Sequence, residues 1–460
     1  MTAALLQKLL AILPSGGVLQ GQDIRQRKAG IWSDDLITAQ AILRPKTTEQ
    51  VSAILKACHS VGQRIVTHGG LTGLVSGTHS EDTDIVLSME NMTQIEEIDE
   101  TGRTMTVQAG ALLQTIQEAA DQKGLLFPID LGARASCTIG GNVATNAGGN
   151  RVIRYGMTRT QILGLEAVLA DGTIISSMNK MLKNNAGYDL KQLFIGTEGT
   201  LGVITRLVVK LQTAPTSHNV ALLGLNSFAD VITLLNTIDG YLAGSLSAFE
   251  VLWRDFYQLV TTAPALAKPP LADYPYYVLL DTLGTDQYQD QQDFQSVLER
   301  ILQTGLIRDA VIAKSQKERA KLWALRDDVE QVFRFGPAMI FDVSLAIDEM
   351  ENYVSQVLAE WNNDFPDGHF FTFGHLGDGN LHFVACVGDD TKQSRGKIEP
   401  ALYKPLGRIN GSISGEHGIG IEKKDYLDCC RSKEEIGLMK ILKRALDPLG
   451  ILNSGKIFDV

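Results

Sequence analysis

Two glycine-bracketed stretches in the C-terminal third of the chain carry side chains able to do chemistry. One is His375-Leu376-Gly377-Asp378-Gly379-Asn380-Leu381-His382, and the other is Ser412-Ile413-Ser414-Gly415-Glu416-His417-Gly418-Ile419-Gly420. Three glycines between Gly374 and Gly379 forbid a stable helix, so the imidazoles do not share a helical face. The pattern predicts His375 in a loop and His382 opening a strand, 382–387, with a hairpin-like loop bringing both rings to one ion. Two histidines and one carboxylate match a catalytic zinc-type site with an open coordination position. Four of the eight histidines fall between 369 and 417. Three of those four sit inside these motifs, which favours a site over scattered loop caps. Asp378 and Asn380 are placed to orient the ligands.

A second chemistry belongs to glycine-shaped backbone nearer the N-terminus. The chain has 44 glycines in 460 residues, and 20 of them lie in 62–77, 124–149, 368–379 and 407–420. In Thr67-His68-Gly69-Gly70-Leu71-Thr72-Gly73, glycines after a strand let several amide N–H groups face one concave spot, a nest suited to an anion. Pro128, Asp130, Gly132, Thr138, Gly140, Gly141, Asn142, Asn146, Gly148 and Gly149 form a second cluster, where backbone approaches a large flat ligand and polar side chains contact it. The stretch from Phe194 through Glu198 and Gly202 to Ile204 repeats that chemistry. Gly-x-Gly-x-x-Gly does not occur. The near-Walker string Gly450–Lys456 is followed by Ile457 instead of Ser or Thr, which rejects a P-loop.

Composition sets outer bounds. The formal net charge of −11 argues against a general nucleic-acid binder, which needs a basic footprint. No apolar run reaches the ~18–20 residues of a transmembrane helix. The first twenty residues lack a basic start and a small-residue cleavage site, so a signal peptide is not expected. Five cysteines without a Cys-x-x-Cys fit reduced thiols in a cytoplasmic protein.

The elements that must position these motifs read as β/α in the first part. A helix starts at Thr47-Thr48-Glu49, carries Val51, Ile54, Leu55, Cys58 and Val61 at helical spacing, and stops at Gly62. Strands are expected at 64–67, 84–88 and 103–109, with a helix at 111–122 closed by Gly124. Pro215 with small polar neighbours marks an exit. The expected division is an N-terminal helical segment, 1–35; a cofactor domain, 36–215; a substrate or cap domain, 216–410; and a C-terminal segment, 411–460.

The three glycine-rich N-terminal segments, in this order, resemble the FAD domain of the vanillyl-alcohol oxidase and p-cresol methylhydroxylase type. The resemblance implies an α+β fold: a two-subdomain FAD-binding domain, an α+β cap domain with an antiparallel sheet, and a short helical C-terminal segment. It implies that the first loop cradles the FAD pyrophosphate and that Asn453 belongs to a flavin-contacting tail. Members with covalent FAD carry histidine where Leu71 stands, so dissociable FAD is implied, and His68 reads as a polar loop residue. The two C-terminal motifs resemble those of FAD-linked D-2-hydroxy acid dehydrogenases, which include D-lactate and D-2-hydroxyglutarate dehydrogenases and the glycolate oxidase large subunit. That pattern implies His375, His382 and Glu416 as ligands of a divalent metal, by preference zinc, His417 as the base, and Arg326 as the anchor of the substrate carboxylate. On sequence alone a surface pairing of Arg326 with Glu330 at i+4 competes evenly with the anchor.

Members acting on 2-hydroxyglutarate carry a lysine where this chain has Ile340, and an asparagine where it has Val384. Two apolar replacements disfavour a second buried carboxylate, so the expected substrate is a lactate-like D-2-hydroxy acid, oxidised by hydride transfer to the flavin. D-2-hydroxyglutarate or glycolate is the alternative within the family. A zinc-type hydrolase and a non-catalytic flavin-binding subunit are the alternatives outside it. The expected partners are an external electron acceptor, electron-transfer flavoprotein or a quinone, and, in a homodimer, a second copy of the chain.

Overall fold

The computed structural model describes residues 1–32, 35–242, 244–262, 264 and 268–460. The chain forms two compact units, one of residues 1–148, 156–214 and 416–460, the other of residues 149–155 and 215–415.

In the first unit, strands Val18–Leu19, Ala41–Leu43, Ile85–Ser88 and Ile65–His68 form a four-stranded sheet in that order, with Ile85–Ser88 parallel to both the second and the last. Helix Thr48–His59 makes the crossover that parallel strands require. Its N-cap is Thr47, whose side chain accepts from the Gln50 amide. Val51, Ile54, Leu55 and Cys58 are fully buried, at the spacing that puts them on one helical face. An antiparallel five-stranded sheet follows the order Ile95–Asp99, Thr104–Gln108, Val203–Lys210, Ile162–Val168, Ile174–Ser177. The helix expected at 111–122 spans Leu113–Asp121. It starts two residues late because Leu112 bridges to Thr138 and is held extended.

The second unit is built on a seven-stranded antiparallel sheet. Its order is Asp309–Ile312, Ser217–Leu225, Tyr276–Gly284, Leu246–Trp253, His369–His375, Asn380–Cys386, Met339–Ser344. One face carries Leu222, Leu252, Phe371, Phe373 and Val384, which cluster with Phe256 of helix Arg254–Thr261 and with Leu322 and Leu325 of helix Gln316–Asp327. Residues 149–155 fall in this unit, where a sequence division at 215 would not put them. Arg154 Nη1 donates to the carbonyls of Ser245 and Leu283, and Ile153 lies where a Gly377 side chain would go. Residues 412–415 also remain with it: Ser344 and Ser412 exchange backbone hydrogen bonds beside the outer strand.

Candidate active site

In the first unit, strand Ile65–His68 runs directly into the Gly69–Gly73 loop. A Cβ on Gly69 would meet Thr138 Oγ1 at 2.5 Å, and one on Gly70 would strike the Ser136 carbonyl. The first glycine pair therefore lets the loop pack against the turn that opens helix Ile139–Thr145. That turn is capped by Thr138, whose Oγ1 accepts from the Gly141 amide. Gly140 packs on Ala109. Gly73 and Gly132 face open space. Leu71 adopts φ +58°, Asn146 +50°, Glu198 +51° and Asn453 +42°, conformations that cost a non-glycine side chain about 1–2 kcal/mol.

The C-terminal tail completes this region. Residues 451–453 lie alongside strand Ile65–His68, with Ile65 N donating to Ile451 O and Asn453 N to Ile65 O. Asn453 Oδ1 accepts from the Thr67 amide at 2.9 Å, and its Nδ2 donates to Glu198 O at 2.5 Å. The tail is fixed from behind by the buried Lys443, which donates to Asp447, Thr200 O and Leu452 O. Thr67 Oγ1 and Asn142 Oδ1 are buried and have no hydrogen-bond partner among the described residues. Buried polar groups left unsatisfied in these glycine-rich segments fit a polar ligand of flavin type. Gly202 presses on Phe194 and Ile204 pairs with Ala167, so both are packing residues of the strand and its approach. Pro128 is buried, and Asp130 pairs with Arg134 at 3.3 Å.

His68 is buried at the end of its strand, not a polar residue of the loop. Its Nε2 lies 2.8 Å from Thr78 O, and since a carbonyl only accepts, that nitrogen carries the proton. Burial pushes its pKa down to about 4, so the ring is neutral at physiological pH.

The loop bearing His417 is shaped inside this same unit. The buried Glu198 carboxylate accepts from the Ile419 and Gly420 amides at 2.7 and 2.8 Å. Burial raises its pKa, and the two amides act against that rise. Gly420 sits at φ +53°, where a Cβ would strike Val75 O. Ile421 N donates to Val75 O, and Ser76 Oγ to Glu422. A Cβ on Gly148 would meet Glu416 Oε2 at 2.8 Å, so glycine there gives that carboxylate room.

In the second unit, His375 is the last residue of strand His369–His375 rather than a loop residue, and the next strand begins at Asn380. The ladder persists because Glu250 pairs with His375 on one side while Phe373 pairs with His382 on the other. The turn between closes through Gly379 at φ +83°. The His375 and His382 rings meet edge to face with centroids 5.1 Å apart. Asn380 donates to Val343 O, and a side chain on Gly415 would collide with its amide. Asp342, opposite His382 in register, accepts from the Gly415 amide at 2.7 Å, which anchors the chain one residue before Glu416.

Arg326 is not a surface residue. Helix Gln316–Asp327 ends before Glu330, so the i+4 geometry does not form. Its side chain is 9% exposed and lies over the Phe373 ring. Its Nε donates to Glu250 Oε2 at 2.8 Å, and Nη2 approaches His375 Nε2 at 3.2 Å. The other Glu250 oxygen faces His375 Nδ1 at 2.7 Å. Burial works to raise the Glu250 pKa, but its contacts with His375 and Arg326 outweigh that and hold the carboxyl below its usual range. The helix is pinned a turn earlier by Trp323 Nε1, which donates to the buried Asp281. Ile340 and Val384 are direct cross-strand partners, two register positions from Asp342 and His382 and therefore on the same face.

A family model for the C-terminal domain of FAD linked oxidases matches residues 214–457, and one for an FAD binding domain matches residues 39–177. The mitochondrial D-2-hydroxyglutarate dehydrogenase of Bos taurus is 39% identical over 421 residues, 91% of this chain and 77% of that protein. A putative mitochondrial D-lactate dehydrogenase of Schizosaccharomyces pombe is 39% identical over 423 residues, covering 90% and 80% of the two chains. Among solved structures, p-cresol methylhydroxylase with substrate bound matches with a TM-score of 0.76 at 16% identity, over 99% of this chain and 96% of that one.

Proposed function

The chain belongs to the family of FAD-linked oxidases, and from that membership we propose that it is an FAD-dependent dehydrogenase oxidising a lactate-like D-2-hydroxy acid to the 2-oxo acid. Relatives at the same identity are named for 2-hydroxyglutarate and for lactate, so identity does not separate these substrates. The observation that carries the choice is the apolar Ile340–Val384 pair beside His382. A second carboxylate buried against that wall would lose water without gaining a donor.

In this reading FAD supplies the hydride acceptor when bound, and a divalent metal on His375, His382 and Glu416 supplies a Lewis acid for the substrate hydroxyl. The donor set, two imidazoles and a carboxylate, suits zinc. Arg326, with a planar fork of donors, holds the substrate carboxylate. His417 Nδ1 or Nε2 takes the hydroxyl proton, and Glu198 keeps that loop in place. The Gly69–Gly73 loop, the 138–146 turn and Asn453 hold the flavin, with Leu71 favouring a dissociable cofactor.

Electrons leave to an external acceptor, electron-transfer flavoprotein or a quinone. Cytoplasmic residence is supported by the five free thiols, and no helix among the described residues is long and apolar enough to cross a membrane. The test is anaerobic flavin bleaching by a panel of D- and L-2-hydroxy acids, with and without chelator. Bleaching by D-lactate, slowed by chelator, is expected. Failure of every acid to bleach the flavin defeats the reading, and bleaching indifferent to chelator defeats its metal part.

A further inference from the structure

The Glu250–His375–Arg326 contacts go further than placing three side chains together. Arginine has donors only, so the His375 Nε2 atom it faces at 3.2 Å offers a lone pair. The ring proton is therefore on Nδ1, donated to Glu250 Oε1. Both Glu250 oxygens are used: one fixes the imidazole, the other takes the arginine Nε–H. The carboxylate is 1% exposed, so water does not compete for either contact.

We propose that Glu250 is the positioning residue that couples metal binding to capture of the substrate carboxylate. The proposal rests on the metal reading above. A metal ligand and the Arg326 Nη2 group need the same Nε2 lone pair, so they exclude one another. When Nε2 binds a metal, Nη2 is released while Nε stays tied to Glu250. Arg326 is then re-aimed, not loosened, and its free edge can meet a carboxylate. Because the same lone pair is exchanged, the effect is reciprocal: metal raises affinity for the 2-oxo or 2-hydroxy acid, and the acid raises affinity for metal.

Glu250→Gln tests this directly, because its amide offers one acceptor and one donor to two donors. The measurements are zinc affinity by competition with a chromophoric chelator, pyruvate affinity with and without zinc, and the ring-nitrogen shifts of His375 in metal-free protein. The wild type should show a proton on Nδ1 and none on Nε2, and zinc should tighten pyruvate binding several-fold. In E250Q zinc affinity should fall about 10–100-fold, and the zinc–pyruvate coupling should vanish while flavin content holds. Zinc affinity within twofold of wild type, with coupling intact, overturns the proposal. If E250Q does not fold, Arg326→Lys serves: removing the competitor from Nε2 should tighten zinc binding, and weaker binding overturns the proposal. If wild-type protein takes no zinc, the metal reading fails and the coupling with it, whereas the His375 tautomer separately decides whether Glu250 orients the ring.

Discussion

Substrate choice is exposed to a two-residue exchange, Ile340→Lys with Val384→Asn. Val384 is fully buried among Phe371, Phe373, Leu252 and Cys386, so an asparagine there without a partner costs about 1–3 kcal/mol. With a substrate whose distal carboxylate reaches that amide, the loss is offset by a charge-assisted hydrogen bond of about 1.5–3 kcal/mol. A lysine in place of Ile340, directly opposite in register, would add a comparable term. At about 1.4 kcal/mol per factor of ten, each change alone should shift the ratio of kcat/KM for D-2-hydroxyglutarate over D-lactate by about 10–100-fold. The residues touch, so their effects will not simply add; the double variant should shift the ratio at least about 100-fold. The assay is anaerobic flavin reduction by each acid, with a thermal melt to register the buried-amide cost. A folded, yellow double variant whose ratio moves less than threefold would refute the argument, as would a wild type that prefers 2-hydroxyglutarate.

Three further outcomes follow from the first unit. His68 has a folded pKa of about 4 against 6.5 unfolded, so below pH 6.5 the unfolded chain binds the extra proton. Stability should then fall as pH drops from 6.5 toward 4, by on the order of 3 kcal/mol in all; His68→Gln should flatten that slope in chemical denaturation run at several pH values, and an unchanged slope excludes His68 as its source. Asn453→Ala removes the bridge between Thr67 N and Glu198 O and should cost about 1–3 kcal/mol, read as a lower melting temperature and faster flavin loss on gel filtration. Gly420→Ala forces a Cβ onto Val75 O at positive φ; activity should drop at least about tenfold with flavin retained, and full activity would show that this glycine does not shape the His417 loop.

What was legible in the sequence has a common physical origin. Glycine at 70, 140 and 420 is dictated by close approach of backbone, and at 69 by the Thr138 hydroxyl; each leaves a residue-level trace because a side chain would collide. Helical spacing of Val51, Ile54, Leu55 and Cys58, and the runs at 84–88 and 103–109, reflect burial repeated along one element. The errors sit where the deciding partner is remote. His375 reads as a loop residue because of the glycines after it, yet pairing with Glu250 and the hairpin ladder extend its strand. Arg326 looks equally suited to Glu330 four residues on, but its partner Glu250 lies 76 residues earlier. Glu250 carries one faint signal: it is the single acid in strand Leu246–Trp253, whose other residues are apolar apart from Ser247. An isolated charge at the inward position of a central strand is expensive to bury. Such a residue implies a buried cation or imidazole facing it from another element, and that implication was the one available clue to the Glu250–His375–Arg326 cluster.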